Sequence, residues 1–206
     1  WQVSVRVGLI GAGVMGADHA RIFAMHIPGA TLQYVCDADE TRAKRIAGEV
    51  GAPHTSSDPL AVIRSPDVDV VLVASPDATH ATLTLAALQA RKTVLCEKPM
   101  APTSAECLQV IEAEVHAGKR LVQIGFMRRF DPSYMEMKSV LTSGAIGPAL
   151  MFHCFHRNVS APANFTGQMA ITNSAPHEFD IARFVLDTDY ASITVFRPNF
   201  RDAGKT

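Results

Sequence analysis

What this chain has little of narrows the field first. Across 206 residues the formal net charge is only -1, with 19 Lys and Arg against 20 Asp and Glu, interspersed along the chain. There is no basic excess to draw in nucleic acid or an anionic membrane surface. No apolar run approaches the roughly 20 residues that a membrane-spanning helix needs. The stretch Val68–Ala74, among the longest, is short and carries Asp69. No charged segment followed by an apolar one opens the chain, so a secretory leader is not expected. The four cysteines, Cys36, Cys96, Cys107 and Cys154, include no Cys-x-x-Cys pair. They read as reduced, mostly buried thiols of a cytoplasmic protein. Histidines and cysteines show no metal-ligand spacing, so no metal is expected. Repeats and low-complexity tracts are absent too.

What is present is ordinary globular composition, 48% hydrophobic, arranged in two alternating patterns. Short apolar, β-branched runs at Val3–Ile10, Thr31–Cys36, Val68–Val73, Thr93–Cys96 and Leu121–Ile124 read as strands. Helical spacing separates them at Val14–Met25, Glu40–Val50, Ala81–Ala90 and Ser104–His116, the last stopped by Gly118. Val68–Val73 is nearly continuous in apolar residues, the mark of a strand covered on both faces. Strand–helix alternation predicts a doubly wound α/β domain with a parallel sheet over residues 1–124. After Gly125 the rhythm changes. A helix over Asp131–Leu141, a strand over Ala149–His156, a loop over Ser160–Ser174, a helix over His177–Leu186 and a strand over Ala191–Arg197 suggest a second, α+β domain over 125–206. Two strands make a poor independent core. The second domain is therefore expected to be incomplete here, finished by residues beyond Thr206.

The segment Gly11-Ala12-Gly13-Val14-Met15-Gly16 is a GxGxxG turn. Such a match alone is weak, but this one leaves the first strand and opens the first helix, as in a Rossmann dinucleotide fold. Gly11 suits the tight turn, Gly13 lets the backbone approach a pyrophosphate, and Gly16 allows close helix–strand packing. The helix N-terminus that includes Val14 and Met15 offers N–H groups to the phosphates. Asp37 closes the second strand, about 20 residues on, where a carboxylate accepts from ribose hydroxyls and repels a 2′-phosphate. Ala38 follows it, so NAD is favoured over NADP. Asp39 is the better candidate than Asp37 for capping the next helix.

Two further segments follow strands: Ser75-Pro76-Asp77-Ala78-Thr79-His80 and Glu97-Lys98-Pro99-Met100. Both fall at the carboxyl edge of the sheet, where open α/β folds bind ligands. Together with the glycine turn they resemble the Gfo/Idh/MocA oxidoreductase family, whose Glu-Lys-Pro motif is its most specific mark. Gly125-Phe126-Met127-Arg128-Arg129-Phe130-Asp131, Phe155-His156-Arg157-Asn158 and His177-Glu178-Phe179-Asp180 extend the resemblance, towards the inositol 2-dehydrogenase branch in particular. Members are typically much longer than this chain.

The resemblance implies that Lys98 lies between nicotinamide and substrate, before a cis peptide bond to Pro99. It implies that His177 is the catalytic histidine, that His156 and Asn158 contact a polyol, and that Met127 lines the pocket. Ser75, Pro76, His80 and Glu97 join the cofactor-binding positions. Of these, His80 is expected to shape the start of the next helix, and Glu97 to brace Lys98 or its loop. Arg128 and Arg129, if extended, point to opposite sides, and at least one is structural. One departure matters. Family dehydrogenases usually carry Asp four residues before the histidine, where this chain has Asn173. An amide can orient a hydroxyl but cannot hold negative charge.

These residues permit NAD-dependent oxidation of a secondary alcohol. NAD accepts the hydride, His177 serves as base in a range natural to histidine, Lys98 stabilises a developing alkoxide, and Asn173 orients substrate. The substrate expected is a cyclitol or sugar, first of all myo-inositol. An aldose is an alternative, and so is a non-catalytic NAD-binding sensor, favoured by Asn173 and disfavoured by the retention of Lys98 and His177. A homo-oligomer is expected for the complete protein, since strand edges need covering.

Overall fold

The computed structural model describes residues 4–157, 160, 163 and 165–196. The chain divides into two compact units. The first comprises Trp1–Phe126 with Asn158–Pro176, and the second comprises Met127–Arg157 with His177–Thr206.

The first unit is built on six parallel strands: Val5–Ile10 (β1), Ala30–Cys36 (β2), His54–Ser56 (β3), Val70–Val73 (β4), Thr93–Cys96 (β5) and Val122–Ile124 (β6). Their order is β3-β2-β1-β4-β5-β6. Connections run outward from β1 in one direction and from β4 in the other. The carboxyl ends of β1 and β4 therefore flank a topological switch point, the place where such sheets form a ligand crevice. This is the doubly wound parallel architecture that the alternating pattern predicts.

Alternation along each strand sorts side chains to two cores. From β1, Val7 and Leu9 enter one core with Leu72 of β4 and with Ala17, Ala20, Ala43 and Ile46. Those last four come from the helices Val14–His26 (α1) and Glu40–Val50 (α2). Ile10, Val71 and Val73 enter the opposite core, with Val62 and Ile63 of helix Pro59–Arg64 (α3) and with Leu83 and Ala87 of helix His80–Gln89 (α4). Full burial of each Val, Leu or Ile among these contributes about 1.5–3 kcal/mol. A helix at Ser104–Ala117 (α5) adds Val110 to a smaller cluster with Ala81 and Leu88.

Two elements of this unit lie outside the sequence reading. Strand β3 has three residues, too few to show a period. Helix α3 carries a legible signal all the same: the Asp58 carboxylate accepts from the Leu60 and Ala61 amides, and Pro59 stands at the first helical position. The segment read as a loop over Ser160–Ser174 is also partly helical. Thr166 caps a single turn at Gly167–Met169 (α7), which passes into a π-turn over Ala170–Ser174.

In the second unit, helices Pro132–Thr142 (α6) and Pro176–Leu186 (α8) stand where helical spacing puts them. The two strands do not. Residues 149–156 and 191–196 are irregular, and Arg197 lies outside the described residues. A strand exists only through ladder hydrogen bonds to a neighbour, and among the described residues neither segment has one. Their apolar side chains are correspondingly uncovered, with Leu150 94% and Phe196 90% exposed. Among the described residues, no helix is long and apolar enough to cross a membrane.

Candidate functional site

The carboxyl edge of the sheet gathers the loops that the motifs mark. Gly11 leaves β1 at φ +95°, and a Cβ there would meet the Ala74 carbonyl oxygen at 2.5 Å. The turn can follow this path past the end of β4 only without a side chain. At Gly16 a Cβ would come within 1.8 Å of the Gly11 oxygen, so α1 packs on the turn at glycine distance. Gly13 differs: a Cβ there would meet nothing within 4 Å. No neighbour in the described chain requires glycine at this position. Gly13 is also the N-cap of α1 and supplies no side-chain cap. Val14 is 82% exposed there, with Met15 beside it. The helix end is thus open to an anionic group in the way a pyrophosphate site needs.

Asp37 stands at the end of β2. One carboxylate oxygen accepts from the Ala12 amide at 2.7 Å, and the other from the Asp39 amide at 2.9 Å. Each oxygen keeps a lone pair for a hydroxyl. Asp39, by contrast, caps α2 by accepting from the Arg42 amide. Arg42, not singled out from sequence, extends its guanidinium to 3.6 Å from Asp37.

The segments after β4 and β5 are tied together. His80 opens α4 and is buried, with one ring nitrogen 2.6 Å from the Pro99 carbonyl oxygen and the other 2.8 Å from that of Ser75. It thus does more than start a helix: it braces the Ser75–Pro76 turn against the Glu97–Lys98–Pro99 loop. With both nitrogens engaged, its contribution to a cofactor site runs through those loops. The Lys98–Pro99 peptide is cis. Glu97 accepts from the Lys98 amide at 3.2 Å and pairs with His19 of α1 at 2.8 Å. Burial alone would push the Glu97 carboxyl up, but His19 and Lys98 together outweigh it and hold it below the usual carboxylate range. Gly125, after β6, makes room: a Cβ there would stand 3.2 Å from this carboxyl group.

Lys98 and Asn173, 75 residues apart, meet. The Lys98 ammonium donates to the Asn173 main-chain carbonyl at 2.9 Å. The Asn173 side chain donates from Nδ2 to Asp77 at 2.8 Å and accepts at Oδ1 from the Thr172 hydroxyl at 2.7 Å. One N–H and one lone pair of the amide remain. Asp77 was visible in sequence only as part of a motif, and nothing there linked it to Asn173.

The second unit holds the other candidates. His177, in the first turn of α8, is 8% exposed, whereas Met127 is 61% exposed. His156 faces both oxygens of Glu178 at 3.1 Å through Nδ1, and Arg128 bonds the same carboxylate. Burial raises the Glu178 carboxyl, but His156 and Arg128 more than compensate and hold it low. Arg128 and Arg129 lie in a 3-10 turn over Met127–Phe130, not in an extended segment, and both bond carboxylates of α8. Arg129 grips Asp180 through Nε and Nη2 at 2.7–3.0 Å. Asn158 lies outside the described residues. Among those residues no cluster of three or more His, Cys, Asp or Glu side chains is placed to hold a metal. Cys36 and Cys96 are buried and their thiols are pushed up to about 12 by that burial, which leaves them unreactive. Cys107 is half-buried and Cys154 exposed, so two of the four thiols are buried where most were expected to be.

Comparison with known proteins adds an independent line. The sequence profile of an oxidoreductase family with an NAD-binding Rossmann fold, Gfo/Idh/MocA, matches residues 5–126. The profile of that family's C-terminal domain matches residues 134–206. Inositol 2-dehydrogenase 4 of Saccharopolyspora erythraea is 50% identical over 94% of this chain and 57% of its own length. Inositol 2-dehydrogenase of Mycolicibacterium smegmatis is 44% identical over 94% of this chain and 56% of its own. The crystal structure of myo-inositol dehydrogenase from Lactobacillus casei, in complex with NAD(H) and myo-inositol, superposes with a TM-score of 0.85. It is 32% identical and covers 89% of this chain and 55% of that one. The chain thus spans little more than half the length of the relatives it matches.

Proposed function

The chain belongs to the Gfo/Idh/MocA oxidoreductase family, and on that premise we propose that the protein oxidises a secondary alcohol of a cyclitol, with myo-inositol the first candidate, using NAD. The observation that carries this reading is the Lys98 ammonium held at the carboxyl edge of an NAD-binding Rossmann domain, 2.9 Å from the Asn173 carbonyl oxygen. The names of the relatives, inositol 2-dehydrogenases, supply the substrate class.

The fit of this chain to NAD rests on its own residues. Gly13 and the uncapped start of α1, with Val14 and Met15, would receive the pyrophosphate. The remaining lone pairs of Asp37 would accept from the adenosine ribose. Ser75, Pro76 and Glu97 would border the cofactor, with His80 bracing their loops. When bound, NAD supplies the hydride acceptor. Lys98 would place a positive charge beside the oxygen on which negative charge develops, where a preorganised cation is worth most. His177 would take the hydroxyl proton. His156, whose Nδ1 faces the Glu178 carboxylate, would contact a substrate hydroxyl. Asn158 and Met127 would complete the substrate side. The spare amide N–H of Asn173 would orient a hydroxyl. The complete protein would be a homo-oligomer.

A second reading, an NAD-binding sensor without turnover, is favoured by one feature, the amide of Asn173. The test is NADH formation by the full-length protein with NAD and a panel of polyols, beside Lys98→Ala and His177→Ala. Turnover in the parent, lost in both variants while NAD still binds, is the expected result. NAD binding without turnover on any polyol would put the sensor reading in its place.

A further inference from the structure

We propose that Asp77 is a positioning residue of the Lys98 site and carries there the negative charge that position 173 lacks. Asp77 opens the 3-10 turn after β4, and Asn173 sits in the π-turn that follows α7. Two bonds determine how the Asn173 amide lies. Its oxygen accepts from the Thr172 hydroxyl at 2.7 Å, and its nitrogen donates to the Asp77 carboxylate at 2.8 Å. The reverse orientation would set oxygen against oxygen at Asp77.

The pairing is therefore specific. A carboxylate at 173 would keep the Thr172 bond but place one anionic oxygen against another at hydrogen-bonding distance, an arrangement two ionised groups do not sustain. The pair accommodates one acid and one amide, and either position can hold the acid. In this chain the acid is Asp77, at the edge of the sheet, and the amide is Asn173. The effect on Lys98 runs through residue 173. The side chain that Asp77 fixes belongs to the residue whose main-chain carbonyl accepts from the Lys98 ammonium at 2.9 Å. Asp77 thus determines where that carbonyl, and with it the lysine, is held. The negative charge beside the residue that holds Lys98 is then supplied by Asp77.

This inference rests on the reading of Lys98 as the electrostatic partner in oxidation. The experiment separates the two. Asp77→Asn, Asn173→Asp and the exchange variant carrying both are made in the full-length protein. Melting temperature, NADH binding by fluorescence, and kcat and KM on myo-inositol are measured for each. Asn173→Asp is expected to melt below the parent, and the exchange variant to recover the difference. Asp77→Asn is expected to lower kcat about tenfold, the size of one lost charge-assisted hydrogen bond, with little change in KM. The exchange variant should regain most of that kcat, which a merely structural residue would not predict. An Asp77→Asn enzyme with the parent's kcat would overturn the proposal. So would an exchange variant no more stable than Asn173→Asp. Were the parent inactive on every polyol, the dehydrogenase reading would fall, and the melting comparison would still decide the pair.

Discussion

The Gly11 carbonyl oxygen stands 1.8 Å from where a Cβ on Gly16 would lie. Both sides of that contact are backbone, so an added methyl has nothing flexible to displace. Gly16→Ala should cost at least about 2 kcal/mol, as overpacking against rigid neighbours does. At Gly13, where a Cβ meets nothing within 4 Å, alanine should change stability by less than about 1 kcal/mol yet weaken NAD by tenfold or more. Paired denaturation curves and NADH titrations of the two variants check the contrast. Equal loss of stability in both would mean that Gly13 serves the fold and not the cofactor.

Asp37 accepts from the Ala12 amide inside the glycine turn and lies 3.6 Å from Arg42. Asp37→Ala removes the acceptor for a ribose hydroxyl and releases Arg42 to meet a 2′-phosphate. The expected outcome is a fall of about tenfold in the preference for NAD over NADP, read as the ratio of the two dissociation constants. An unchanged ratio would remove Asp37 from cofactor choice.

Glu97 titrates below its ordinary value because His19 and Lys98 outweigh the burial that would raise it. A depressed folded-state pKa contributes stability that is full above the unfolded value, about 4.3, and is lost as pH falls through the folded one. The parent should therefore exceed Glu97→Gln in stability at neutral pH, and the gap should close on acidification below about pH 4. Urea denaturation at a series of pH values gives the gap directly. A difference that persists in acid would assign it to shape and not to charge.

Arg129 grips Asp180, which is 7% exposed, and stacks on Phe184 at 5.4 Å. Arg129→Ala strands a buried carboxylate. The cost should be about 2 kcal/mol, less than for a fully buried pair because Arg129 is itself 38% exposed. Chemical denaturation measures it. A loss within about 0.5 kcal/mol, typical of surface substitutions, would show that water reaches Asp180 freely.

Much of the fold was legible because its signals are local. Val68–Val73 reads as a covered strand from its composition, with the ladder itself at Val70–Val73, Asp39 as a cap from its place before α2, and Gly11–Gly16 as a phosphate turn from three glycines at set intervals. Strand β3 escaped because three residues have no period. The strands expected over 149–156 and, among the described residues, 191–196 failed for the opposite reason. Their apolar residues show a tendency towards strand, and a ladder needs a partner that no local pattern can supply.

The sequence by itself determined the Rossmann topology, the family and the positions that carry the candidate chemistry. Each depends on residue type and spacing along the chain. Only the tertiary structure decided which of those positions act together. It joined His80 to both Ser75 and Pro99, set His19 against Glu97, and brought Asp77 to Asn173 across 96 residues. Such pairings leave no periodic trace in sequence, because the chain closes them through the sheet's crossovers. Whether a lone aspartate is surface charge or the partner of a half-buried amide depends on where those crossovers bring it.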